Sequence, residues 1–110
     1  MSRTRAFSRY SIETAALLGK RIKLQRKQNK WSETELADRA GISRATVQKI
    51  EKGGMSCVLG SVLETASLVG VNLFDADNHK LWQQIERIDD KIALLPKSIR
   101  KPRKTLNDDF

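Results

Sequence analysis

Ser32-Glu33-Thr34-Glu35-Leu36-Ala37-Asp38-Arg39-Ala40-Gly41-Ile42-Ser43-Arg44-Ala45-Thr46-Val47-Gln48-Lys49-Ile50 packs two helix starts and a helix stop into one short run. Ser32 followed three residues later by Glu35 is a capping box, in which each side chain satisfies an orphan backbone donor of the other. Trp31, just before the cap, is placed to staple onto Leu36. Gly41 suits the left-handed conformation that closes a helix. Ser43 then caps a second helix, predicted from Arg44 to about Lys52 and stopped by Gly53-Gly54. Two helices that cross steeply need a small residue where they touch, here Ala37, and a glycine where the chain reverses, here Gly41. With Ile42, Val47 and Ile50 turned inward, Ser43, Arg44, Ala45, Gln48, Lys49 and Lys52 are left outside.

On the N-terminal side, residues 1–10 read as a flexible basic arm. Ser11 can cap a helix from Ile12 to about Gln28, with Ala15, Leu18 and Ile22 on one face and Asn29-Lys30 as its turn. On the C-terminal side, a fourth helix fits Leu59 to Val69, closed by Gly70. Val62, Ala66 and Val69 recur there at helical spacing, with Leu63 beside them. Val71 to Phe74 is a short link. From about Asn78, Leu81, Ile85, Ile88, Ile92 and Leu95 recur at spacings of four and three, a heptad-like stripe flanked by Trp82. Pro96 ends it. The tail to Phe110 contains Pro102 and no periodicity, and is expected to be disordered in isolation. No segment carries a strand signal. The pattern therefore predicts an all-α, five-helix domain with an extended C-terminal helix and a basic tail. Its divisions are residues 1–10, 11–75, 76–95 and 96–110.

The chain has 110 residues and a formal charge of +8. The excess lies at its ends: residues 1–31 carry many Lys and Arg against the single acid Glu13, and Lys97, Arg100, Lys101, Arg103 and Lys104 precede Asp108 and Asp109. Such a balance points to a polyanionic partner, nucleic acid first and an anionic membrane second, although solvated tails that aid solubility would look the same. Cys57 stands alone and reads as a small buried hydrophobe in a reducing compartment. His79 is the single histidine and does not cluster with Cys57, so no metal site is expected. No paired carboxylates, His-based nucleophile or glycine-rich phosphate loop suggest an enzyme, and no cofactor is implied. Neither a signal peptide nor a membrane span is legible. An outer helix face of Arg, Gln and Lys beside a small Ala is what a reader of the DNA major groove presents.

Residues 17–75 resemble the Cro and phage-repressor helix-turn-helix family, also called the XRE family. The residues that carry the resemblance are Leu18-Gly19, Arg21-Ile22, Arg26, Ser32 to Ala37, Gly41-Ile42-Ser43, Thr46-Val47, Ile50-Glu51 and Gly53. Leu63, Ala66, Leu68, Gly70-Val71 and Leu73 complete the set. Within that family the chain is most similar to HipB-type antitoxins, encoded beside HipA-like kinases. The Arg21 to Arg26 run, the extra helix after residue 75 and the end Asn107-Asp108-Asp109-Phe110 carry this closer likeness.

The resemblance implies a lambda-repressor-like fold and a cytoplasmic bacterial repressor, nucleoid-associated when bound to DNA. It would be a homodimer on a palindromic double-stranded operator, with a HipA-like kinase toxin as partner. Base contacts fall to Arg44, Ala45, Gln48 and Lys49, and phosphate contacts to Ser43, Lys52, Arg3 and Arg5. Arg26 and Glu51 would form an internal salt bridge, against the alternative of two solvated charges. Glu33 departs from the family, many of whose members place Gln there against a phosphate. A carboxylate should repel one, so Glu33 is not assigned to DNA. For the stripe Leu81, Trp82, Ile85, Ile88, Ile92 and Leu95, three burial sites remain open: the chain's own core, the same helix of a second copy, and a kinase-like partner to which Phe110 could add an anchor. A helical protein-interaction module and a stand-alone phage-type repressor remain as alternative functions.

Overall fold

The computed structural model describes residues 6–74 and 78–98, and among them five helices and no strand. These are α1 (Arg9–Gln28), α2 (Glu33–Ala40), α3 (Arg44–Glu51), α4 (Leu59–Val69) and α5 (Asn78–Ala93). Arg3 and Arg5, and the tail from residue 99 to the terminal Phe110, lie outside the described residues.

Local chemistry sets most of the boundaries. Ser32 accepts from the Glu35 backbone N–H at 3.0 Å, and the Glu35 carboxylate accepts from the Ser32 N–H at 2.8 Å, so both halves of the capping box form. Gly41 closes α2 at φ 70°, and Gly70 closes α4 at φ 98°. The Ser43 hydroxyl accepts from the Thr46 N–H at the start of α3. One boundary corrects the sequence reading. The first helix starts at Arg9, with Ser8 as its cap, so the final residues of the predicted arm are helical. Ser8 Oγ accepts from the Ser11 N–H at 3.1 Å, and Arg9 pairs with Glu13 at 3.0 Å one turn along. Nothing in Arg9-Tyr10-Ser11 breaks a helix, so the earlier of two serine caps prevails. α5 ends slightly before Leu95, ahead of Pro96.

The chain divides into two compact units, Met1–Leu73 and Phe74–Phe110. In the first, α1 packs on α3 and α4, and α2 on α3 and α4. Ile22, Leu36, Ala37, Val47, Ile50, Ala66, Val69 and Val71 form its buried core, with Leu18, Trp31, Ile42, Cys57, Val62 and Leu68 packed at the margin. On α4 the inward stripe is Val62, Thr65, Ala66 and Val69, and Leu63 is exposed. Thr65 completes the i, i+3, i+4, i+7 set that one helix face requires, which leaves Leu63 about 100° off that face.

At Gly19 α1 passes close against the backbone of α3. A Cβ there would lie 2.5 Å from the Ile50 carbonyl oxygen and 2.6 Å from that of Glu51. Both neighbours are backbone and cannot rotate away. Replacing Gly19 by Ala would gain about 1 kcal/mol of helix propensity. The clash should outweigh that gain and leave a net loss of about 1–3 kcal/mol, read as a lower urea midpoint. An unchanged or raised midpoint would mean that α1 and α3 can separate freely.

In the second unit, α5 carries its apolar residues on one side. Leu81 is half-buried, while Trp82, Ile85, Ile88, Ile92 and Leu95 are exposed, Ile92 by 60%.

Candidate nucleic-acid interface

α3 is held from behind by α1 and α2. Val47, Ile50 and Glu51 are buried, which turns the opposite face outward. Arg44, Ala45 and Lys49 are exposed on that face and Gln48 is half-buried at its edge. Ser43 and Lys52 flank them, as the N-cap and C-cap of α3. The structure thus brings Ser43, Arg44, Ala45, Gln48, Lys49 and Lys52 onto one short helix and its two ends. The Ser43 hydroxyl already serves the Thr46 N–H and lies 2.9 Å from the Thr46 hydroxyl. A shallow hollow of about 140 Å³ beside α3 is lined by Lys23, Glu33, Gln48, Glu51 and Lys52.

The orientation of α3 is fixed by a buried ion pair. Arg26 of α1 donates from Nε to Glu51 Oε2 at 2.6 Å and from Nη2 to Oε1 at 3.0 Å, while Nη1 donates to the Trp31 carbonyl at 2.9 Å. The fork matches the carboxylate, and both side chains are under a tenth exposed. The hydrogen bond to Glu51 raises the Arg26 pKa, against burial, which favours the neutral form. Around the pair, Arg39 stacks over the Trp31 ring at 4.3 Å, and Asn29 donates to the Val69 carbonyl at 3.2 Å. The first contact ties the last turn of α2 to the link that precedes it, and the second ties the end of α4 to the C-cap of α1.

Glu33 has a role that the sequence reading missed. Its Oε1 accepts from Gln48 Nε2 at 2.9 Å and from Arg44 Nε at 3.0 Å. The Gln48 bond first and the Arg44 bond second lower the Glu33 pKa, against a smaller opposing effect of burial. A depressed carboxylate pKa means that this contribution is in place above the ordinary Glu value and is lost as pH falls through the depressed one. The contact is therefore intact at neutral pH. Opposite charges at the first residues of α2 and α3 were the available signal. They escape a helix-by-helix reading because the contact crosses the turn.

Two short helices joined by a glycine turn, with the second buttressed from behind and presenting polar and basic side chains, define a helix-turn-helix domain. Residues 22–65 match a family model described as helix-turn-helix. The chain is also similar to a solved HipB variant described as a complex with an O2 20mer, at 25% identity and a TM-score of 0.51, over 70% of this chain and 99% of that one. No curated protein matches. Residues 22–65 thus form a helix-turn-helix domain of the XRE type, and the chain is similar to HipB.

Proposed function

We propose that the chain is a sequence-specific, double-stranded-DNA-binding transcriptional repressor and not an enzyme. The observation that carries this reading is the outward face of α3, where Arg44, Ala45, Gln48 and Lys49 stand together on a helix locked from behind. The likeness to a HipB complex supports it. In this reading Arg44 makes a bidentate contact to guanine, Ala45 meets a thymine methyl, and Gln48 and Lys49 read alongside. Ser43 with the α3 backbone donors, Lys52, Arg3 and Arg5 contact phosphates.

A single recognition helix reads only a few base pairs, so we place two copies on a palindrome, with half-site centres about 34–36 Å apart. The HipB-like fold extends the proposal to an antitoxin that represses its own operon in the bacterial cytoplasm and binds a HipA-like kinase. The exposed α5 stripe keeps a second reading in view, a helical module whose main task is to dock a protein.

Salt separates the two readings. Phosphate contacts make the logarithm of affinity fall linearly with the logarithm of salt, at roughly 0.9 per phosphate neutralised. The repressor reading predicts a steep slope on duplex DNA. Absence of duplex binding at low salt would leave only the docking module. Arg44→Ala should weaken binding to a preferred duplex by about 1–3 kcal/mol and relax one position of each half-site. Equal losses on preferred and scrambled duplexes would instead make Arg44 a phosphate contact.

A further inference from the structure

Lys30 occupies a backbone position that glycine would suit better. Among the described residues it is the one non-glycine with a positive φ, 63°. The left-handed region crowds a Cβ against the following carbonyl, so lysine carries strain there that glycine would not. The fold imposes this conformation. At the end of α1 the Lys30 N–H donates to the Lys27 carbonyl and the Trp31 N–H to the Arg26 carbonyl, both at 3.0 Å. That nested pair of bonds is the closure that places a left-handed residue just past a helix end. It also fixes the Trp31 carbonyl, which accepts from Nη1 of Arg26 beside the buried pair with Glu51. The turn therefore cannot relax without disturbing the support of α3. Strain held in place by its surroundings points to a side chain kept for another purpose.

Inside the fold the Lys30 ammonium has no task. It is exposed, and among the described residues it makes no hydrogen bond or ion pair. The end of α1 does not need its charge either, because Lys27 already stands in the last turn. Its surroundings are basic and adjoin the outer face of α3. Lys23, Lys27 and Lys30 follow one another at spacings of four and three, all exposed. Lys23 lines the hollow that Gln48 and Lys52 share. Only Trp31 and Ser32 separate Lys30 from Glu33, whose carboxylate touches Arg44 and Gln48. We propose that Lys30 is a DNA-binding residue whose ammonium holds a backbone phosphate next to the outer face of α3. The inference rests on the DNA-reading function proposed above and adds to it an anchor on the turn between α1 and α2. A phosphate contact carries no base information, so Lys30 contributes affinity and leaves sequence preference to α3.

The test compares the full-length chain with Lys30→Gly, Lys30→Asn and Lys30→Arg across a salt series. Each is titrated with a duplex that the wild type enriches from a random pool and with a scrambled duplex. Lys30→Gly should melt about 2–5 °C higher, because the strain is relieved. It should nevertheless bind both duplexes about three- to tenfold more weakly at low salt, with a salt slope shallower by about 0.9 per chain. Lys30→Asn tolerates the left-handed region without a charge and should lose binding to the same extent. Lys30→Arg keeps the charge and the strain, and should bind and melt as the wild type does. Wild-type affinity and salt slope in Lys30→Gly and Lys30→Asn would overturn the phosphate contact and leave DNA reading intact. A lower melting temperature for Lys30→Gly, or a loss of binding in Lys30→Arg equal to that in Lys30→Gly, would overturn it as well. A wild-type chain that binds no duplex would remove the DNA-reading function and this anchor with it.

Discussion

Replacing Glu51 by Ala should destabilise the helix-turn-helix unit by about 3–5 kcal/mol, the range expected when one partner of a buried ion pair is removed. The expectation follows from what would remain. Arg26 would keep its bond to the Trp31 carbonyl but lose both bonds to the carboxylate, and its charge would stay buried between α1 and α3. Small domains are stable by only about 5–15 kcal/mol, so such a loss brings this one close to unfolding. Replacing both partners by Met should recover much of the loss, because the desolvation penalty disappears together with the attraction. Urea unfolding of the two single variants and the double variant measures this directly. A loss under about 1 kcal/mol for Glu51→Ala would mean that the pair behaves as a solvated surface bridge.

The second large effect concerns assembly. Ile88→Asp should leave the chain helical and make it monomeric. Affinity for a palindromic duplex should then fall by about two orders of magnitude or more, the usual gain from linking two reading heads. Ile85, Ile88 and Ile92 are exposed on α5, as is Leu95 just beyond it, and with the half-buried Leu81 they recur at spacings of four and three, a repeat of about 3.5 residues that suits a two-helix seam. An aspartate at the middle of such a seam would bury two unpaired charges, one from each copy. Sedimentation of the variant, free and with duplex, distinguishes the outcomes. A dimer that melts at lower temperature would assign the stripe to the chain's own core. A dimer of unchanged stability would assign it to an outside partner. Either would contradict the dimer seam.

Reading the sequence worked best where structure depends on near neighbours. The α2 cap, the Gly41 and Gly70 stops and the whole extent of α4 follow from residues within one turn of each other, so order along the chain contained the answer. It failed where two local signals compete or where distant residues meet. Ser8 and Ser11 are equally good caps in isolation, and the choice falls to an Arg9–Glu13 pair worth only a few tenths of a kcal/mol together with the absence of any breaker. Thr65 reads as polar by its hydroxyl, yet it is fully buried and completes the inward face of α4. The charge of Glu33, taken alone, says only that it would repel a phosphate. Its partners lie across the turn, at Arg44 and Gln48, where no periodicity points. The Arg26–Glu51 pair spans a longer separation still, and family likeness pointed to it where spacing could not.

If the repressor reading is right, the outer face of α3 contacts duplex DNA. Amide chemical shifts report this contact, with the full-length chain titrated with a 20-base-pair duplex that it enriches from a random pool. The largest changes should fall at Ser43, Arg44, Ala45, Gln48 and Lys49, with saturation at one chain per half-site. Changes confined to α5, with the amides of α3 unmoved, would contradict it.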